Sequence, residues 1–182
     1  MKLFKLLILF LIPLLYSCNN NNNSIQQKVK FVKTKRVFPF SEAEYIEIFS
    51  YKTNFETSNP FSNLLNDNVN FPNKLKEILE SNKLNVKERI KLNPEQQDEL
   101  FEILYNEECG DEILGNCFTP RHAIIFFDKN NTPIAFSELS LECITANFSK
   151  GFNKYKLCES KINKLKTFFE QIGIAYFEEP MI

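Results

Sequence analysis

The stretch AIIFFDKNNTPIAFSELSLEC, residues 123–143, decides the fold. Ala123 to Asp128 is strongly β-like, Asn130-Asn131 is a turn signal, and Ile134 to Cys143 resumes a strand pattern, so the stretch predicts an antiparallel hairpin. In its second arm Ala135, Ser137, Leu139, Leu141 and Cys143 alternate with Phe136, Glu138, Ser140 and Glu142. Successive side chains on a strand point to opposite faces. The first set is expected to face the core, which leaves Glu138 and Glu142 outward.

Downstream, Ile162, Leu165, Phe168, Phe169 and Ile172 recur at helical spacing, so a helix is expected from about Glu159 to Ile172, with Gly173 as its stop. Ile174 to Phe177 reads as a short edge strand. Upstream, Asn93 is an N-cap residue followed by Pro94 at the first helical place and by Gln96, which completes a capping-box pattern. That helix carries Leu100, Ile103 and Leu104 as its apolar stripe, with Phe101 beside them, and ends by Asn106 to Gly110. Val86 to Leu92 and Tyr45 to Tyr51 read as strands, the latter apolar on both faces and therefore central. Lys28 to Lys33 alternates in part, as a half-buried strand does. Asn54 to Pro72, dense in Asn, Ser and Pro, reads as a long loop. A short helix with Leu75, Ile78 and Leu79 on one face follows it. The sum is an α+β fold: an antiparallel sheet with two main helices packed on one side.

Cys109, Cys117, Cys143 and Cys158 all fall within this folded region. Four cysteines in an exported chain read first as two disulfides. None is spaced C-x-x-C, and His122 is the one histidine available to a mixed zinc site. Two pairings compete. With the turn near Asn130, Cys117 lies almost opposite Cys143. The sequential alternative, Cys109 with Cys117 and Cys143 with Cys158, closes short loops and fastens each helix end to the hairpin, and is preferred.

The chain starts with Lys2 and Lys5, an apolar run from Leu6 to Leu15, and small Ser17 before Cys18, the three parts of a secretory signal. A membrane-spanning helix needs about 20 apolar residues, roughly twice this run. Leu15-Tyr16-Ser17-Cys18 resembles the lipobox of bacterial lipoproteins, with Tyr16 bulkier than usual. That resemblance implies cleavage before Cys18 and a diacylglyceryl thioether on it, often with a third acyl chain. Two or more chains hold a protein stably at a membrane. Residues 1–17 are then a removed signal peptide, 18–27 a lipidated tether, and 28–182 a single domain. The tether, with Asn19 to Asn23 and Ser24, has nothing to bury. At roughly ten residues it sets the domain about 15–20 Å from its anchor. It has no acidic residues after Cys18 of the kind that mark surface export, which points to the periplasmic face of the outer membrane.

Loss of Lys2 and Lys5 leaves 20 Lys and Arg against 23 Asp and Glu, a change in formal charge from −1 to −3. This near-balance, without a basic stripe, argues against a nucleic-acid binder. Nineteen phenylalanines in 182 residues supply one respectable core. With four glycines the chain holds no phosphate loop, and no G-x-S-x-G is present. No cofactor is expected.

Cys117-Phe118-Thr119-Pro120-Arg121-His122, leading into the hairpin, with Glu142-Cys143, Cys158 and the last helix, resembles an uncharacterised family of exported or lipid-anchored bacterial proteins. That family is common in Bacteroidota and shares a C-x-x-P-R-[NH] motif ahead of an aromatic strand, a second strand ending C-F-E-C, and a helix ending in F-F and G-I. The resemblance covers roughly Val86 to Phe177. Ser140 stands where the first cysteine of C-F-E-C would be, and Cys109 is extra, so no pairing is carried over. The resemblance adds organisation and no activity.

Arg121 and His122 could bind an anion and move a proton, but neighbours on a strand point apart. Arg121 is expected to pair with Glu138 or Glu142 across the hairpin, with His122 partly buried. Glu138 and Glu142, four places apart on a strand, span about 13 Å, too far for glycosidic cleavage. The expectation is a lipid-anchored envelope protein that binds another protein or an envelope component, as an inhibitor or immunity protein does, through a contiguous exposed aromatic patch. The alternatives are an envelope-acting hydrolase using Arg121, His122 and Glu138, and a purely structural lipoprotein.

Overall fold

The computed structural model describes residues 35–52, 61–65, 70–81, 84–110 and 117–177. The signal, Cys18, the tether and the Lys28–Lys33 strand lie outside the described residues, as do parts of the 54–72 loop. Among the described residues no helix is long and apolar enough to cross a membrane.

Five antiparallel strands form one sheet: β1 (Tyr45–Lys52), β2 (Asn85–Lys91), β3 (His122–Phe127), β4 (Pro133–Ser140) and β5 (Thr145–Phe148), in the order β2-β1-β3-β4-β5. The hairpin of β3 and β4 is at its centre, its turn closed by the Asp128 carboxylate, which accepts the Asn130 and Thr132 N–H groups at 2.8 Å. The strand pattern stops at Ser140. The chain turns through Ile144, at φ 52°, and returns as β5, a strand that four mixed residues, Thr-Ala-Asn-Phe, do not announce.

Three helices cover the sheet: α1 (Phe71–Glu80), α2 (Pro94–Phe101) and α3 (Glu159–Ile172). The Asn93 side chain accepts from the Gln96 N–H at 2.8 Å, and the Gln96 side chain accepts from the Asn93 N–H at 2.9 Å, so α2 starts on a complete capping box. It then continues as a π-helical turn, Glu102–Asn106. The buried Lys161 of α3 donates its Nζ to the Leu104 carbonyl at 2.6 Å, fastening the two helices together. Gly173, at φ 99°, ends α3 in the left-handed conformation that a side chain would resist.

The two main helices pack on one side, as the sequence implies. Leu100, Phe101 and Leu104 with Ile162, Leu165 and Phe169 bury Ile46, Ile48, Ile124, Phe126, Ala135 and Leu139. The opposite face is covered too. There Phe49, Tyr51, Ala123, Ile125 and Phe136 pack against Leu75 and Ile78 of α1, Leu64 of the 3-10 turn before it, Phe61 ahead of that turn and Leu84 ahead of β2. This second layer corrects one expectation. Glu138 does not face solvent but is fully buried.

Both disulfides form, but not in the sequential pairing. Cys117 joins Cys143 with Cα atoms 5.5 Å apart, closing the mouth of the hairpin as strand opposition dictates. Cys109 joins Cys158 at 5.7 Å, tying the chain after the π-helical turn to the residue that begins α3. The Cys117–Cys143 geometry leaves no partner for a sequential bond. Nor is Ile174 to Phe177 a strand: it runs as irregular chain.

Candidate functional site

The register sets three polar side chains in a row across the face under α3. Ser50 of β1 is the cross-strand partner of Glu88 on β2 and of His122 on β3. The Ser50 hydroxyl donates to the Glu88 carboxylate, and the backbone N–H of Glu88 donates to Ser50 Oγ at 3.1 Å. Glu88 Oε1 also accepts the backbone N–H groups of Ala175 (3.0 Å) and Tyr176 (3.1 Å). His122 Nε2 meets the Tyr176 carbonyl at 3.0 Å. A carbonyl only accepts, so Nε2 carries the proton and Nδ1 is left as a buried acceptor without a partner among the described residues. The chain after α3 is thereby strapped over the row by one carboxylate and one imidazole.

Burial holds the His122 pKa down at about 4, against the pull of the Tyr176 carbonyl and of Glu88, and with Arg121 and Lys166 pushing the same way as burial. The imidazole is therefore neutral near pH 7, seated between the rings of Phe169 and Phe177 at 5.3 and 5.2 Å. Although Glu, Ser and His stand side by side, the bonds differ from those of a nucleophilic triad. The serine donates to the carboxylate and the imidazole to a backbone carbonyl, so the imidazole does not accept the Ser50 proton as it would in such a triad.

The other sequence candidates lie on the opposite face. Ala123 pairs with Glu138 and His122 with Leu139, so the hairpin sends Glu138 and His122 to opposite sides. Tyr51 donates its hydroxyl to Glu138 Oε1 at 2.5 Å. Burial, then the Glu138 charge and hydrogen bond, push the Tyr51 hydroxyl well above its ordinary pKa, so it stays protonated. Arg121 pairs with Glu142 at 3.1 Å, one of the two partners expected, and its side chain is almost wholly buried. Arg121, His122 and Glu138 thus do not converge on one substrate. Of the surface depressions on the described residues, four have volumes of about 180 to 480 Å³, and none of these four is lined by Arg121, His122, Glu138 or Glu142. Among the described residues, no three His, Cys, Asp or Glu side chains gather as a metal-ion set.

Glu88 and Ser50 were not among the sequence candidates. A signal was present: Glu88 and Ile90 alternate with the charged Lys87, Arg89 and Lys91, which sets a carboxylate beside an apolar residue on the inner side of β2.

The aromatic patch expected of an interaction surface is not found among the described residues. Their large exposed apolar side chains are Leu65, Val86 and Phe118, well apart in the sequence, while the other aromatics except Tyr176 pack into the two cores or onto them. No protein-family model, curated protein or solved structure matches this chain.

Proposed function

We propose that this chain is a lipid-anchored protein of the bacterial cell envelope, and that its domain binds another protein or an envelope component without transforming it. The observation that carries the address is the quartet Leu15-Tyr16-Ser17-Cys18 at the end of a short apolar run, followed by a polar tether. Acyl chains on Cys18 hold the domain at the membrane. The uncharged Asn19–Ser24 stretch favours the periplasmic face of the outer membrane. The C-x-x-P-R-H motif at Cys117 to His122 supports kinship with exported proteins that share it.

The binding role is supported by what the candidate reactive groups already do. Arg121 is tied to Glu142, Glu138 to Tyr51, and His122 to the Tyr176 carbonyl, each holding one part of the fold to another. Inhibition or immunity is one form such binding takes. Photo-crosslinking in intact cells, followed by detergent extraction of the envelope, tests it. A discrete crosslinked species containing this chain is expected. No discrete species, together with an envelope defect on deletion, would favour a purely structural lipoprotein instead.

A further inference from the structure

The edges of a sheet are where a fold can still offer backbone hydrogen bonds to another chain. The order β2-β1-β3-β4-β5 leaves two such edges. That of β2 is guarded, because Lys87, Glu88, Arg89 and Lys91 run along it and charges discourage an added strand. That of β5 is not. Thr145, Ala146, Asn147 and Phe148 include no charge and no proline, and all four are half-exposed.

The ladder shows which groups face outward. Ser149 donates to the Phe136 carbonyl at 3.0 Å, and the pairing continues as Glu138 with Asn147 and Ser140 with Thr145. In an antiparallel pair, residues bonded to the neighbour alternate with residues turned away from it. Asn147 and Thr145 therefore address β4, while Ala146 and Phe148 present N–H and C=O to the outside. No described strand covers them.

Two depressions flank this edge. One, of about 470 Å³, is walled by Leu65, Asn147, Lys150 and Lys154; the other, of about 180 Å³, by Ile144, Tyr155, Lys156 and Leu157. An added strand sends alternate side chains to opposite faces, so its successive residues would meet one depression and then the other. Charge selects the occupant. Residues 145–157 carry Lys150, Lys154 and Lys156 and no Asp or Glu, in a chain of net charge −1.

We propose that the outer edge of β5 is a docking surface for an extended acidic segment of a partner protein, which adds to the sheet as a sixth strand. Backbone bonds to Ala146 and Phe148 hold the segment, its apolar side chains enter the smaller depression beside Ile144, Tyr155 and Leu157, and its carboxylates, on the alternate face, enter the larger one beside Lys154. The proposal rests on the binding role above and names its surface and the chemistry of the partner.

The test uses the full lipidated chain in detergent micelles and two blocked peptides, each about eight residues long, the length of an ordinary strand. One alternates Glu with Val and the other Lys with Val. Hydrogen exchange at residues 145–148 is expected to slow about tenfold with the Glu-Val peptide and not with the Lys-Val peptide. Ala146→Pro removes an outward N–H at an edge that tolerates proline and should abolish the protection. Lys154→Glu, in the larger depression, leaves the backbone intact and should remove the preference for the Glu-Val peptide. No protection, protection at residues 85–91 instead, or equal protection by both peptides would overturn the proposal. In cells, a crosslinked partner captured as well by Ala146→Pro as by the parent would sink the β5 edge and leave the binding role standing. No partner captured by the parent would sink the role itself.

Discussion

His122 and Glu138 lie within one register step of each other on paired strands, yet they project to opposite faces of the sheet. His122 helps to hold the segment after α3, and Glu138 anchors the Tyr51 hydroxyl in the second core. Two groups that sequence would group as one site are therefore two structural fastenings, each with its own consequence.

For His122 the consequence is a pH dependence. Its pKa in the folded chain, about 4, lies below the ordinary value of about 6.5, so between these values the unfolded chain binds more protons. Stability contributed by the neutral ring is complete above about pH 6.5 and is lost as pH falls toward 4, by roughly 3 kcal/mol in all. Glu88 favours the protonated ring, while Arg121 and Lys166 oppose it. Urea unfolding of the parent and His122→Gln from pH 7.5 to 4.5 checks this, since glutamine can still donate to Tyr176. The difference between the two should shift in favour of the variant as the solution is acidified; a constant difference would contradict the burial argument.

For Tyr51 the consequence is a cost on removing one oxygen. Tyr51→Phe keeps the ring packed against Phe61, at 5.8 Å, but withdraws the donor from a buried carboxyl. Denaturant unfolding should show a loss of about 1.5–3 kcal/mol, the value of a hydrogen bond to a charged group. A loss under half a kcal/mol would show that Glu138 does not depend on this donor.

The strap predicts a local effect. Glu88 accepts two consecutive N–H groups, so Glu88→Ala frees Ala175 and Tyr176 together. Their amides should exchange faster in the variant while those of β3, at the centre of the sheet, change little at mild denaturant. Equal acceleration in both places would mean that Glu88 supports the whole fold rather than the strap.

The disulfide connectivity gives a covalent test. Non-reducing peptide mapping should yield fragments joining Cys109 to Cys158 and Cys117 to Cys143. Those bonds close loops with sequence separations of 49 and 26. Removing either pair as a double Ala variant should cost roughly 3–4 kcal/mol by chain entropy. Fragments joining Cys109 to Cys117 would contradict the structure.

What sequence made legible was local. The Asn93 capping box, the Gly173 stop and the Asn130-Asn131 turn each depend on neighbours within a few residues, and each stands where it was expected. The burial of Glu138 was not legible, because it depends on α1 and on Phe61, which are distant in sequence and follow or interrupt a turn-rich stretch. β5 was missed because Thr-Ala-Asn-Phe has no clear apolar alternation. The 174–177 segment was misread as a strand because its Ala175 and Tyr176 N–H groups are bound by a side chain, a choice that periodicity does not reveal. The preference for sequential disulfides weighed the fastening of each helix end to the hairpin over strand opposition, and opposition decided it.

The proposed anchor at Cys18 lies outside all of these fastenings and has its own test. The most direct measurement is incorporation of radiolabelled palmitate by cells producing the parent chain or Cys18→Ser. Label on the parent and none on the variant, with the variant released into the soluble fraction, is the expected result. Labelling that persists in Cys18→Ser, or a parent chain that takes up no label, would contradict the anchor and the envelope role built upon it.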